Sequence, residues 1–162
     1  MTGIDQLIAW LNDAYGMENA LIEILGHQIK DAKDSAHVRL KLEQHLDQTR
    51  QHAQMVKDCI ERLGGHTSTV KTGMAKLFGQ MQALSTGAAK DEMLKNALAD
   101  FAAENFEVAS YTALVTAAQA LNDLQTAQVC QQILQEEEEM ARWLQQNLPT
   151  LVQQTLQQVA TT

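Results

Sequence analysis

Glu18, Glu104 and Glu137 each occupy a position where a long helical pattern calls for an apolar residue, and His45 does the same in a fourth pattern. A lone carboxylate taken out of water is so unfavourable that inward Glu residues end up paired, protonated or bound to a cation. Glu107 follows Glu104 by one helical turn and shares its face. Carboxylates joined by an imidazole suit a divalent metal ion. The carboxylates bridge and neutralise charge, and the nitrogen ligand favours iron, manganese or zinc over magnesium. The candidate metal ligands are therefore Glu18, His45, Glu104, Glu107 and Glu137, holding one or two divalent ions per chain, with iron or manganese expected. No catalytic residue can be assigned from the pattern.

Ferritin-like di-metal centres take one Glu from each of two helices and a Glu-x-x-His pair from each of the other two. Here that rule is incompletely met, because Gln48 stands three residues after His45 and Met140 three after Glu137. The expectation is one well-held ion and a weaker second position. His52 is read as structural or as a neighbour behind the ligands, and His27, His37 and His66 as surface or loop residues. Tyr15 and Tyr111 read as core packing near Glu18 and Glu104. The run Glu136 to Glu139 reads as a solvated acidic face from which only Glu137 turns inward.

The elements that must carry these residues follow from composition and period. With 162 residues, one proline and eight glycines, the chain reads as one all-α domain spanning 1–162. Apolar periodicity predicts a first helix from Gly3 to Asp31, and a second capped by Asp34 or Ser35 that stops at Leu63 before Gly64-Gly65. A third is predicted from about Asp91 to Leu121, with Leu94, Leu98, Phe101, Glu104, Val108 and Tyr111 inward, and a fourth from the Asn122-Asp123 turn to about Gln146. The long connection between the second and third loses this period and supports only a short helix, using Met74, Leu77, Phe78, Met81 and Leu84. A short C-terminal helix is expected to begin at Pro149. Two long helices, a long crossover and two more long helices is the order of a ferritin-like four-helix bundle. A short echo, Asp13 to Asn19 against Asp100 to Asn105, puts Glu18 and Glu104 at matching places in the two halves.

Charge narrows the partners. The chain carries a net −8 with only twelve Lys and Arg, scattered along its length, which disfavours a nucleic-acid surface. No 18-residue apolar run and no cleavable leader pattern occurs, so a cytoplasmic location and no membrane contact are expected. Cys59 and Cys130 fall on apolar stripes, as buried thiols in a reducing compartment would. Leu151, Val152, Leu156 and Val159 form a C-terminal stripe expected to cover a neighbour or the bundle end.

Four segments carry a resemblance: Trp10 to Glu18, Glu43 to Thr49, Glu104 to Thr112 and Ile133 to Glu137. With the ending Ala141 to Pro149, they make the chain similar to the YciE/YciF family of bacterial ferritin-like stress proteins along essentially its whole length, closest to the YciE branch. The resemblance implies a five- or six-helix ferritin-like fold, a homodimer, a cytoplasmic location and a link to stress. It also implies inward ligands at Glu18, His45, Glu104, Glu107 and Glu137. Where this chain has Gln48 the family commonly has Glu, and where it has Asn105 the family often has His. Two functions from different classes follow. One is a di-metal, di-iron carboxylate type of oxidoreductase acting on peroxide or dioxygen. The other is a non-catalytic metal-binding or structural stress protein with a degenerate site, which Gln48 favours.

Overall fold

The computed structural model describes residues 2–32, 35–68 and 91–160. They form four long helices: α1 (Gly3–Asp31), α2 (Ala36–Arg62), α3 (Glu92–Ala120) and α4 (Leu124–Ala160). The expected short crossover helix with Met74, Leu77, Phe78, Met81 and Leu84 lies outside the described residues, as does Asp34. None of these helices is long and apolar enough to cross a membrane.

Local chemistry sets the ends. At the start of α1, Thr2 Oγ1 accepts from the Asp5 amide (3.1 Å) and Asp5 Oδ2 accepts from the Thr2 amide (2.7 Å), a reciprocal capping box. The helices α2 and α3 end alike. The Gly64 and Gly65 amides turn back to the Glu61 and Ile60 carbonyls, and the Asn122 and Asp123 amides turn back to those of Gln119 and Ala118. This is the Schellman arrangement, which needs a left-handed residue just past the helix; Gly64 (φ 83°) and Asn122 (φ 58°) supply it. Arg62 then clasps the Asp123 carboxylate and Thr126 Oγ1, fixing the end of α2 to the start of α4.

Helices α1 and α2 pack as one hairpin and α3 and α4 as another, with further packing of α1 on α3 and α2 on α4. Gly3 lies against Leu121, while Gln28 bonds to Asp100, so α1 and α3 run antiparallel. The chain therefore leaves α2 at one end of the bundle and starts α3 at the other. These helix directions are those of a ferritin-like bundle.

Two details differ from expectation. The C-terminal segment is not a separate short helix: α4 runs unbroken through Pro149 to Ala160. The proline removes one helical donor, but Gln145, whose carbonyl loses that donor, faces solvent, and Leu151 beyond it is buried on the bundle end. Leu98, expected inward, is 51% exposed, because the buried face of α3 at that turn consists of Ala97 and Asp100. Val152, Leu156 and Val159 of the C-terminal stripe are also exposed.

The turn chemistry gives a direct test. Replacing Gly64→Ala puts a Cβ on a left-handed residue, which should lower stability by about 1–2 kcal/mol. For a domain of this size that is a fall in Tm of roughly 2–8 °C. An unchanged Tm would show that the α2 terminus does not need this conformation.

Candidate metal centre

Midway along the bundle each helix turns polar side chains inward. Glu18 comes from α1, His45 and His52 from α2, Glu104 and Glu107 from α3, and Glu137 from α4, and all six are at most 2% exposed. Spacing explains the pairs. Residues 104 and 107 are one helical turn apart and residues 45 and 52 two turns apart, so each pair shares a face. On α2 to α4 the apolar core divides around this layer: Val56, Ile60, Leu114, Cys130 and Ile133 pack on one side, Leu42, Leu46, Ala97, Met140 and Leu144 on the other.

Two triads emerge, Glu18–His52–Glu137 and His45–Glu104–Glu137, in each of which the ligand atoms lie within 4.8 Å of one another. Glu137 belongs to both. In the first, His52 Nδ1 stands 2.8 Å from Glu137 Oε1 and 3.8 Å from Glu18 Oε2. In the second, His45 Nε2 and Glu104 Oε1 share a hydrogen bond of 3.0 Å. Tyr111, fully buried, donates its hydroxyl to Glu18 Oε1. Glu107 lies in the same layer with both carboxylate oxygens unpartnered.

His52 was not among the expected ligands, yet it completes the first triad. Its Nε2 donates to Glu136 Oε2 (3.0 Å), an oxygen that also accepts from Gln48 Nε2 (3.1 Å). An imidazole whose outer N–H is tied to a carboxylate presents its other nitrogen inward, the usual way an outer carboxylate orients a metal-binding His. Glu136 thus leaves the acidic run to meet His52, and Gln48 holds Glu136 in place. The sequence signal for His52 was its spacing, two turns from His45 on the same buried face. Cys59 and Cys130 are free and buried.

Electrostatics in this layer are those of a cluster awaiting positive charge. Burial and then the Glu137 carboxylate push Glu18 up to about 8, and the same two causes hold Glu104 and Glu107 well above the ordinary carboxylate range. Burial alone would lower His52, but Glu137, Glu18 and Glu136 raise it to about 9. Burial lowers His45. Burial also raises Glu137, but the neighbouring His52 and His45 outweigh it, and Glu137 stays below its ordinary value.

These shifts fix the pH response of the metal-free fold. Glu18 keeps its proton from its ordinary 4.5 up to about 8, and His52 from 6.5 up to about 9. Across both windows the folded chain binds more protons than the unfolded chain, so stability falls as pH rises. His45, depressed below 6.5, acts in the opposite sense, destabilising the fold as pH falls through its unfolded value. The Tm of chelator-treated protein should therefore drop between about pH 5 and about pH 8, and added divalent metal should raise it most at the upper end, where a cation displaces the fewest protons. A metal-free Tm that climbs over this range would contradict the protonated cluster.

The fold and the chain have close parallels. A protein from Xanthomonas campestris pv. campestris is 31% identical, with 98% of this chain and 99% of that one covered at a TM-score of 0.85. The E. coli stress protein YciF is 20% identical, covering 94% of this chain and 98% of its own at 0.83. The bacterioferritin of Desulfovibrio desulfuricans, a protein with a diiron site, is 19% identical, covering 99% and 90% at 0.79. The last two likenesses establish the ferritin-like fold. Residues 2–157 match the family described as Domain of unknown function (DUF892), and the chain belongs to that ferritin-like family.

Proposed function

We propose that this chain is a metal-binding stress protein of the YciE branch, whose core holds two divalent cations, iron or manganese, side by side. The observation that carries this is where the unpartnered polar atoms lie. Among the described residues, and apart from His52 Nδ1 and Glu137 Oε1, which pair with each other at 2.8 Å, every buried side-chain nitrogen or oxygen without a hydrogen-bond partner belongs to Glu18, His45, Glu104, Glu107 or Glu137, save Gln28 Oε1. Buried polar atoms are otherwise almost always satisfied. A cluster left unsatisfied in one place fits cations as the missing partners.

The donor set fits as well. Four carboxylates and two imidazoles is the inventory of the ferritin-like di-metal centres, here distributed differently, with both imidazoles on α2 and two carboxylates on α3. Ionised, the four carboxylates carry the charge that two divalent cations neutralise. Glu137, common to both triads, would serve both positions. Gln48 does not leave the second position short of a ligand, since His52 stands there.

Two redox-active ions held there would supply the two electrons that reduction of peroxide takes, and would suit reaction with dioxygen. The chain's own part is to exclude water with the apolar clusters on either side, to aim His52 through Glu136, and to hold Glu18 through Tyr111. A non-catalytic metal-binding role is the alternative outcome, marked by bound metal without peroxide consumption. Stoichiometry tests the core reading. Wild type should bind about two ions per chain, His45→Ala and His52→Ala about one each, and Glu137→Ala neither tightly, because Glu137 serves both triads. One ion that survives His52→Ala unchanged would remove the second position.

The homodimer implied by the family resemblance would draw on the exposed Val152, Leu156 and Val159 of α4. Truncation after Leu151 should then shift the sedimentation coefficient to that of a monomer. A truncated chain that sediments as wild type would place any dimer contact elsewhere.

A further inference from the structure

Among the described residues, the one buried side-chain nitrogen or oxygen outside the centre without a hydrogen-bond partner, Gln28 Oε1, belongs to a different feature. Where α1 ends and α3 begins, the bundle holds a cavity of about 210 Å³. Asp31, exposed, and Glu92, half-buried, stand at its mouth, Asn96 lines its side, and Gln28 and Asp100, 6% and 7% exposed, line its inner part. Gln28 Nε2 donates to Asp100 Oδ1 at 2.8 Å, which fixes the amide and leaves Oε1 buried without a donor. Among the described residues, no Lys or Arg lines the cavity. Asp100 precedes Glu104 by one turn on the buried face of α3, about 6 Å along the helix, and its charge is felt by His45 and Glu104.

We propose that this cavity is a cation-binding station through which divalent metal reaches the core, an inference that rests on the metal-binding reading above. Its donors are all oxygens: three carboxylates, the Asn96 amide and the free Gln28 carbonyl. Such a set holds a hard, hydrated cation loosely, and the space admits one with water still attached. The core, four carboxylates with two imidazoles, holds a transition-metal ion more firmly. A weak oxygen site one turn outside a strong mixed site, under the field of a chain carrying net −8, gives a downhill order: Asp31 and Glu92 gather the cation, Asp100 and Gln28 Oε1 hold it, and Glu104 and His45 receive it. This also gives a use to a buried Asp100, which no residue of the core touches by a hydrogen bond among those described and which an apolar residue would replace if packing were its only task.

The test is the rate of Co²⁺ uptake by the metal-free full-length chain, followed by stopped-flow visible absorbance, together with Co²⁺ content at equilibrium. Asp100→Asn removes the charge while keeping an oxygen for Gln28. It should slow uptake by about tenfold and leave the equilibrium content unchanged. The double variant Asp31→Asn/Glu92→Gln, at the outer residues of the cavity, should also slow uptake, and added salt should narrow its difference from wild type. Uptake at the wild-type rate in both variants overturns the proposal, as does Asp100→Asn lowering the equilibrium content, which would make Asp100 a core ligand. A wild type that takes up no Co²⁺ overturns the metal-binding reading itself, so the two failures are distinct.

Discussion

Placing Glu18, Glu104, Glu107 and Glu137 together out of water is the constraint to which the rest of the fold answers. Four like charges in one buried layer repel each other and forfeit hydration, so the layer is stable only with protons, cations or imidazolium among the carboxylates. In the metal-free chain protons do this, as the raised values of Glu18, Glu104 and Glu107 show. Apolar residues of similar volume would make a more stable core without any ion. A carboxylate layer therefore has a purpose other than stability, and its purpose is tied to whatever positive charge displaces the protons.

Such a layer needs a scaffold that does not relax around it. The two Schellman turns, the Thr2–Asp5 capping box and the Arg62–Asp123 clasp fix where each helix begins or ends, and so fix the register of each Glu against the next. Apolar clusters on both sides keep the layer dry. Within it, orientation passes outward by hydrogen bonds: Tyr111 holds Glu18, Glu136 holds His52, and Gln48 holds Glu136. Glu18 is thus held from within the core by a fully buried Tyr111, and His52 from the half-buried Glu136 and Gln48.

Much of this was legible in the sequence because a Glu on an apolar stripe has no comfortable alternative. The positions of Glu18, Glu104, Glu107 and Glu137 in one layer, and the four long helices, follow from periodicity alone. His52 was not recognised because a buried His on a stripe has an ordinary structural explanation, and only its spatial partners, Glu18 and Glu137, distinguish the two. Glu136 was hidden in a run of four acids whose solvated reading is correct for most of its members. Pro149 misled because its rule concerns local hydrogen bonding, whereas burial of Leu151 on the bundle end carries α4 onward. Leu98 misled for a related reason: α3 spends its buried positions on Ala97, Asp100, Glu104 and Glu107, so its apolar pattern understates which face is inside.

Gln48 illustrates how position alone can misassign a role. Compared with a pattern that expects Glu at that place, it reads as a ligand lost. In the fold its amide instead donates to Glu136, whose carboxylate accepts from His52 on the same oxygen. A carboxylate at position 48 could not donate that bond and would face Glu136 with like charge, so an amide is what a His52-centred triad requires there. The amide at position 48 and the imidazole at position 52 are thus parts of one arrangement, in which Gln48 holds Glu136 and Glu136 orients His52. The buried layer holds four carboxylates and two imidazoles, both imidazoles from α2. Its negative charge comes from α1, α3 and α4 alone, and α2 meets it with nitrogen.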